Sequence, residues 1–269
     1  MSGTNVFAQT IANDVNVVPV DTYENRLSKG LIAGASVYHG AGRGVINGTE
    51  STVRGGAVPA TYVYLSSPVA MEIISTSVND TAAGSGARTV IVTGIDASGN
   101  VKTETVSMNG TTAVALSGTW LRMYGAECIT QGTSAQVGVS NAGVITVRTA
   151  GAGAVHATMP IAKGAALTAS FPVPLGKVGH LHHVNVSQDG NKSLDIRIYR
   201  RNGMLLSAAP FSSLILIQEY LGRTTALDRH FYTPIVFNDL TDFFITVAYS
   251  GGGGTADVSV DFTIEILDA

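Results

Sequence analysis

Residues 257–266 read Asp-Val-Ser-Val-Asp-Phe-Thr-Ile-Glu-Ile, so apolar and polar side chains alternate along the whole stretch. A period of two is that of a β-strand with one buried face, because successive side chains of a strand point to opposite faces. Residues 194–199, Leu-Asp-Ile-Arg-Ile-Tyr, alternate in the same way. The two stretches predict an antiparallel β domain over residues 165–269, with one sheet face buried and the other wet or facing a partner.

Shorter β-patterned runs precede this domain, over residues 59–164. Residues 89–93 and 101–106 flank the turn-rich cluster Asp-Ala-Ser-Gly-Asn at 96–100 and therefore predict a β-hairpin. Further strands are expected at 62–65, 71–74, 113–116, 120–124 and 144–147. Turn signals recur about every 8–12 residues, which is typical of a β-sandwich or barrel.

Residues 1–58 show no sustained periodicity, and glycines interrupt them repeatedly. Their valines and leucines are too numerous for a solvated tail, so we expect an extended arm that becomes ordered against a neighbouring subunit. The predicted fold class is therefore all-β, with this N-terminal arm and two antiparallel, jelly-roll-like β-sandwich or barrel domains at 59–164 and 165–269.

Two local features of the second domain are predicted less directly. Residues 212–221 are the only plausible helix, but the run Leu-Ile-Leu-Ile at 214–217 fits a strand equally well. Four glycines at 251–254 are expected to join residues 243–249 to the last strand as an antiparallel pair.

The composition indicates a surface that meets other protein over much of its area. Of the 269 residues, 45% are hydrophobic and 13% are charged, about half the roughly 25% charge of a typical soluble domain. A formal net charge of −3 offers no basic face for nucleic acid. There is no leader pattern at the N-terminus and no apolar run of about 18 residues. We therefore expect no nucleic-acid or membrane partner and a non-secreted product, which the single cysteine, Cys128, also fits.

No residue set typical of an enzyme occurs in the sequence. The Gly-x-Ser-x-Gly motif of serine hydrolases is absent, and Cys128 fits a small apolar strand residue better than a nucleophile. Asp239 and Asp242 are the acids that come closest to a glycosidase pair, but they flank a turn, where acids are common. We expect no catalytic residues and no enzymatic activity.

The glycine motifs Gly40-x-Gly42-x-Gly44 and Gly84-x-Gly86 are interpreted as turns that need a positive φ. Neither lies between a strand and an amphipathic helix, and no Gly-Lys-Ser/Thr follows, so a phosphate loop is not indicated. Nearby, Asp80 could offer oxygens to calcium, but EF-hand spacing is absent. A turn stabilised by its side chain is favoured instead, and no cofactor is expected.

The run His180-Leu181-His182-His183 is the one candidate metal site in the sequence. In a regular strand His180 and His182 project from the same face, and imidazole is a common ligand of transition metals. Three copies around a threefold axis could then complete a coordination shell. The alternative is a hydrogen-bonded core histidine, because His182 would share its face with Val184 and Val186.

An ordered series of motifs lies in the first domain. Residues 77–90 read Ser-Val-Asn-Asp-Thr-Ala-Ala-Gly-Ser-Gly-Ala-Arg-Thr-Val, followed by Gly-Ile-Asp at 94–96, Glu-x-Val-x-Met-Asn-Gly-Thr-Thr at 104–112 and then Leu121-Arg122. The series resembles virion structural proteins of tailed bacteriophages over about residues 30–170. The resemblance implies a structural component of the particle and brings no catalytic residues with it.

Among such components the resemblance favours a capsid decoration (cement) protein. Such a protein would be made in the host cytoplasm and would sit as a trimer on the capsid exterior. Its partners would be the major capsid protein and further copies of itself, and residues 1–58 would form arms that reach the capsid subunits. One alternative is a tail, baseplate, collar or fibre-associated part. The other is an enzyme such as a depolymerase, which would need a cleft with convergent acids.

Overall fold

The computed structural model describes residues 23–54, 62–134, 140–166, 168–190, 192–250 and 254–269. Within these residues the chain forms sixteen β-strands and one short helix, α1 (Tyr23–Ser28). Every strand pairing there is antiparallel. The predicted all-β class with antiparallel sheets is therefore confirmed. No helix in the described ranges is long and apolar enough to cross a membrane.

The second β region is a jelly-roll-like sandwich of two sheets. The first sheet has the strand order β1 (Ala35–Ile46), β16 (Ala256–Asp268), β11 (Lys177–Gln188), β14 (Leu227–Phe237). The second sheet has the order β10 (Ser170–Pro172), β15 (Asp242–Ser250), β12 (Ser193–Arg201), β13 (Ile215–Arg223), and β2 (Ser51–Thr52) also pairs with β15. The two sheets share one core, where the rings of Phe243 and Phe262 meet edge to face at 5.1 Å.

The first β region contains two smaller sheets. One has the order β6 (Val114–Ala115), β3 (Met71–Ser75), β8 (Ile145–Thr149), β9 (Val155–Met159), and the other β5 (Val101–Ser107), β4 (Ala87–Asp96), β7 (Trp120–Gln131). Their core surrounds the fully buried Trp120. The predicted hairpin is confirmed, since β4 and β5 pair with Val92 opposite Glu104.

Part of the predicted arm belongs to the second sandwich. β1 pairs with β16 along its whole length, from Ala35 opposite Leu267 to Ile46 opposite Ala256, and β2 pairs with β15. The prediction of an extended arm over residues 1–58 is therefore corrected for residues 35–54, which complete sheets of their own chain. Residues 23–34, which include α1, are also described, whereas 1–22 and 55–58 lie outside the described residues.

The glycines at 40 and 42 provide space inside this sandwich. Gly40 lies in β1 opposite Phe262, and a Cβ at Gly40 would overlap the aromatic ring. A Cβ at Gly42 would overlap the backbone carbonyl of Val53. The interpretation of this motif as a turn is wrong. A strand is recognised in a sequence by alternating apolar residues. Glycines occupy those positions in β1, so the sequence pattern did not indicate this strand.

Gly40→Ala is expected to lower the free energy of unfolding by about 1–3 kcal/mol, because the added methyl overpacks the core against Phe262. The matched control is Gly190→Ala, since a Cβ at Gly190 meets no atom within 4 Å. Urea unfolding followed by circular dichroism measures both. Equal stabilities of the two variants would contradict the packing role of Gly40.

Three further strand predictions are settled by the tertiary structure. Residues 243–249 and the last strand do not pair, because β15 lies in the second sheet and β16 in the first. The predicted antiparallel pair of these two segments is therefore wrong. Residues 62–65 are not a strand, and the ring of Tyr62 instead stacks on Phe244 at 4.6 Å. The helix-or-strand ambiguity at 212–221 resolves to the strand β13.

The two β regions share apolar core and a buried ion pair. Ile95, Leu121 and Tyr124 of the first region lie in the core of the second. Beside them, Arg122 of β7 donates hydrogen bonds from Nε and Nη2 to the two carboxylate oxygens of Asp242 in β15, each at 2.8 Å. Their side chains are 3% and 0% exposed. This contact joins the regions in one packed structure.

Candidate functional site

The outer face of the first sheet carries five of the six histidines of the chain, His39, His180, His182, His183 and His230. Strand register accounts for much of this grouping. His39 of β1 lies opposite Thr263, Thr263 opposite His183, and His183 opposite His230, so one row of partners crosses all four strands. We call this surface the histidine face.

A β-bulge in β11 turns the central histidines outward. Relative to β16, β11 has one extra residue, His182, between the pairs Leu181–Ile264 and His183–Thr263. Leu181 and Val184 remain buried, while the side chains of His182 and His183 are 38% and 24% exposed. The bulge breaks the regular alternation, so His182 does not share a face with Val184. The core-histidine alternative is therefore wrong.

Glu265 of β16 joins the two predicted ligands. Its Oε2 lies 3.0 Å from Nε2 of His182 and 3.5 Å from Nδ1 of His180. On the other side, the Tyr23 hydroxyl of α1 donates a hydrogen bond to Oε1. The sequence did not indicate Glu265 as a site residue, because it appeared only as one polar position of an alternating strand. Its register opposite His180 depends on the strand order.

The electrostatics of Glu265 favour a carboxylate. Burial raises its pKa, but the hydrogen bonds from Tyr23 and His182 and the charges of His182 and His180 together hold the pKa below its usual value. The group is only 3% exposed. A buried carboxylate at neutral pH therefore points one oxygen at two imidazoles.

A second histidine cluster lies nearer the sheet edge. His183 Nε2 lies 2.6 Å from Asp228 Oδ1, and His230 Nε2 lies 3.8 Å from the same oxygen. The rings of His183 and His230 stack at 4.2 Å. The hydrogen bond from His183 lowers the pKa of Asp228, which is otherwise exposed to solvent. This cluster is more open than the one around Glu265.

A groove of about 770 Å³ runs over the histidine face. Tyr23 and Leu27 of α1 line one side, and Phe231, Tyr232 and Pro234 of β14 line the other. The β14 wall bulges out. Between its pairs with β11, β14 has four residues, from Phe231 to Pro234, whereas β11 has only His182. The groove therefore combines an apolar rim with imidazole and carboxylate groups.

No protein-family model and no curated protein matches the chain. Among solved structures, T=1 particles derived from infectious bursal virus match with 9% identity and a TM-score of 0.26, over 87% of this chain and 69% of that chain. The VP2 subviral particle of infectious bursal disease virus matches with 10% identity and a TM-score of 0.24, over 87% and 72%. At TM-scores this low, the likeness carries no argument about fold or function.

A second surface feature is the apolar edge, which we define by the exposed side chains of β13 and the loop before it. β13 is the edge strand of the second sheet, and β12 is its one pairing partner among the described strands. The large apolar side chains that project here, each exposed by 39% to 58%, are Leu205, Leu206, Phe211, Leu214, Ile215, Leu216 and Leu221.

The structure gives the remaining acidic candidates structural contacts. Asp242 is fully buried, with Arg122 and the Tyr62 hydroxyl as partners, and Asp239 accepts a hydrogen bond from the Gly176 amide. Neither forms part of a paired-acid cleft with the other. Burial also raises the pKa of the Cys128 thiol, which makes that residue a poorer nucleophile at neutral pH.

The carboxylate of Asp80 has no free oxygen for calcium. The Ser75 hydroxyl donates to Oδ2 at 2.5 Å, and the backbone amides of Ala87, Ala142 and Gly143 donate to the two oxygens at 2.7–2.9 Å. Asp80 is completely buried. It therefore holds together the loops of the first β region.

Proposed function

We propose that this protein is a structural component of a virion, and specifically a capsid decoration protein that binds the exterior of an assembled phage head as a trimer. The apolar edge is the observation that carries the proposal. The motif series at 77–122, with its resemblance to phage virion proteins, supports the kind of particle. We assign the protein no enzymatic activity.

The apolar edge has the properties of a surface covered by protein. An edge strand with exposed apolar side chains exposes a free monomer to aggregation, and proteins normally protect such edges with charges or with a covering element. Here seven large apolar side chains are exposed on this edge strand and the loop before it, in a chain that has only 13% charged residues. Permanent interfaces between identical subunits are more apolar than those between separately made proteins. The edge therefore fits another copy of this chain best.

A closed ring of three copies would cover every apolar edge. In a cyclic trimer each edge packs on a different patch of the next subunit, so no edge remains exposed. Three linked copies would also bind three capsid subunits with avidity. Because such a ligand binds the assembled lattice better than free capsid subunits, it would stabilise the lattice by that difference in affinity.

The double variant Leu216→Asp/Leu221→Asp tests this interface. We expect the unchanged protein to elute as a trimer in size-exclusion chromatography with light scattering, and the variant to elute as a monomer with an unchanged circular dichroism spectrum. Both side chains are exposed, at 44% and 58%, so the charges should not disturb the core.

The matched control is Val101→Asp/Ile129→Asp. These residues are 51% and 54% exposed but lie in the first β region, so this variant should remain trimeric. A monomeric unchanged protein would contradict the proposal, and so would a trimer that the Leu216 and Leu221 substitutions leave intact.

A further inference from the structure

We infer that His180, His182 and Glu265 form a binding site for a divalent transition-metal ion of the zinc class. The three residues supply two imidazole nitrogens and one carboxylate oxygen from a single chain. This set differs from the threefold arrangement expected from the sequence, because Glu265 completes three ligands without a second copy. The inference does not depend on the proposed function.

The distances between the donor atoms fit one small ion. In tetrahedral zinc sites with bonds of about 2.0–2.1 Å, neighbouring ligand atoms lie about 3.3 Å apart. The separations of Glu265 Oε2 from the nitrogens of His182 and His180 are 3.0 and 3.5 Å, and one donor atom from each of the three residues lies within 4.8 Å of the others. Small rotations of the side chains would bring all three atoms to bonding distance.

Tyr23 gives the site an orienting contact. Its hydroxyl donates to Oε1 of Glu265, which fixes the carboxylate and leaves Oε2 directed at the imidazoles. Metal-bound carboxylates and histidines in proteins are typically held by such outer hydrogen bonds. The short helix α1 therefore places a positioning residue against the site.

The charge balance also favours a cation. Glu265 is nearly completely buried, and its Oε2 faces the imidazole nitrogens of His180 and His182. A buried carboxylate is stabilised by a nearby positive charge. A bound dication would supply that charge. His182 and Glu265 line the groove, through which an ion can reach the site.

Zinc titration of the chelator-treated full chain tests the site. We expect isothermal titration calorimetry to give one tight zinc ion per chain, with a rise in Tm on zinc addition. His182→Ala and Glu265→Gln should each weaken this binding by at least about 10–100-fold and remove the rise in Tm, as loss of a ligand or of its outer contact does in zinc sites. Tyr23→Phe should weaken binding by about 10-fold.

The double variant His183→Ala/His230→Ala is the matched control. It removes two histidines of the neighbouring cluster and should retain the tight zinc ion. Because His182 is exposed and lies in a bulge, His182→Ala should fold even if Glu265→Gln does not. Absence of zinc binding to the unchanged chain would overturn the proposal. Binding lost in the control but retained in His182→Ala would also overturn it.

Discussion

Arg122→Ala is expected to lower the free energy of unfolding by about 3–5 kcal/mol, because it leaves the carboxylate of Asp242 buried without its partner. Arg122 also donates from Nη1 to the backbone carbonyls of Leu65 and Leu121, at 2.9 and 2.7 Å. Its guanidinium lies over the ring of Tyr64, 4.2 Å from the centroid. One side chain therefore ties together β7, β15 and the segment around 62–65.

Urea unfolding followed by circular dichroism measures this effect. The matched control is Lys177→Ala, which removes the cation of a pair with Asp268 whose side chains are 40% and 63% exposed. Exposed pairs contribute about 0–1 kcal/mol, so that variant should remain close to the unchanged protein. A loss below about 1 kcal/mol for Arg122→Ala would show that the two β regions do not depend on this contact.

Asp80→Ala is expected to cost about 3 kcal/mol or more, because it leaves three backbone amides and the Ser75 hydroxyl without their acceptor. Buried donors that lose a charged partner cost about 1.5–3 kcal/mol each, though such losses are not additive. Asp80→Asn should lose less stability than Asp80→Ala but should still be less stable than the unchanged protein. The amide has a single acceptor oxygen, and its NH₂ group would face backbone donors.

The control for Asp80 is Asp96→Ala in the exposed turn of the β4–β5 hairpin. Asp96 also accepts amide hydrogen bonds, from Ser98 at 2.8 Å and Asn100 at 3.0 Å, but in solvent. Water can replace this acceptor, so the cost should stay near 1 kcal/mol or below. Comparable losses for Asp80→Ala and Asp96→Ala in thermal unfolding would contradict the role of Asp80 as a buried anchor.

The structure gives a physical reason for the motif at 77–90. Asp80 holds the loops, and a Cβ at Gly84 would overlap the carbonyl of Asn79, while one at Gly86 would overlap the Asp80 carboxylate. Both glycines are therefore required by close packing, and neither has the positive φ expected of a turn. Further along the series, Leu121 lies in the shared core and Arg122 in the buried ion pair. The motif residues thus maintain a fold.

Local patterns predicted those parts of the fold that depend on local sequence. Alternation in residues 257–266 and the turn at 96–100 identified β16 and the β4–β5 hairpin, because a half-buried strand and a tight turn each leave a short-range signal. β1 was missed because glycines occupy positions 40 and 42, where a Cβ would overlap the ring of Phe262 and the backbone carbonyl of Val53. Only the completed sandwich shows why those positions are small.

The candidate site could be predicted only in part for a related reason. His180 and His182 stand out in the sequence, but their outward direction depends on a bulge of one residue against β16, which no local pattern revealed. Glu265 lies 83 residues from His182, and only the pairing of β11 with β16 brings them together. Tyr23 reaches the same carboxylate from a helix that the sequence did not indicate.

The copy number of the protein in purified virions tests the central claim most directly. Quantitative mass spectrometry against the major capsid protein would measure it. Trimers spread over an icosahedral head predict on the order of hundreds of copies, in a simple ratio to the major capsid protein. A few dozen copies or fewer would contradict the account and assign the protein to the tail.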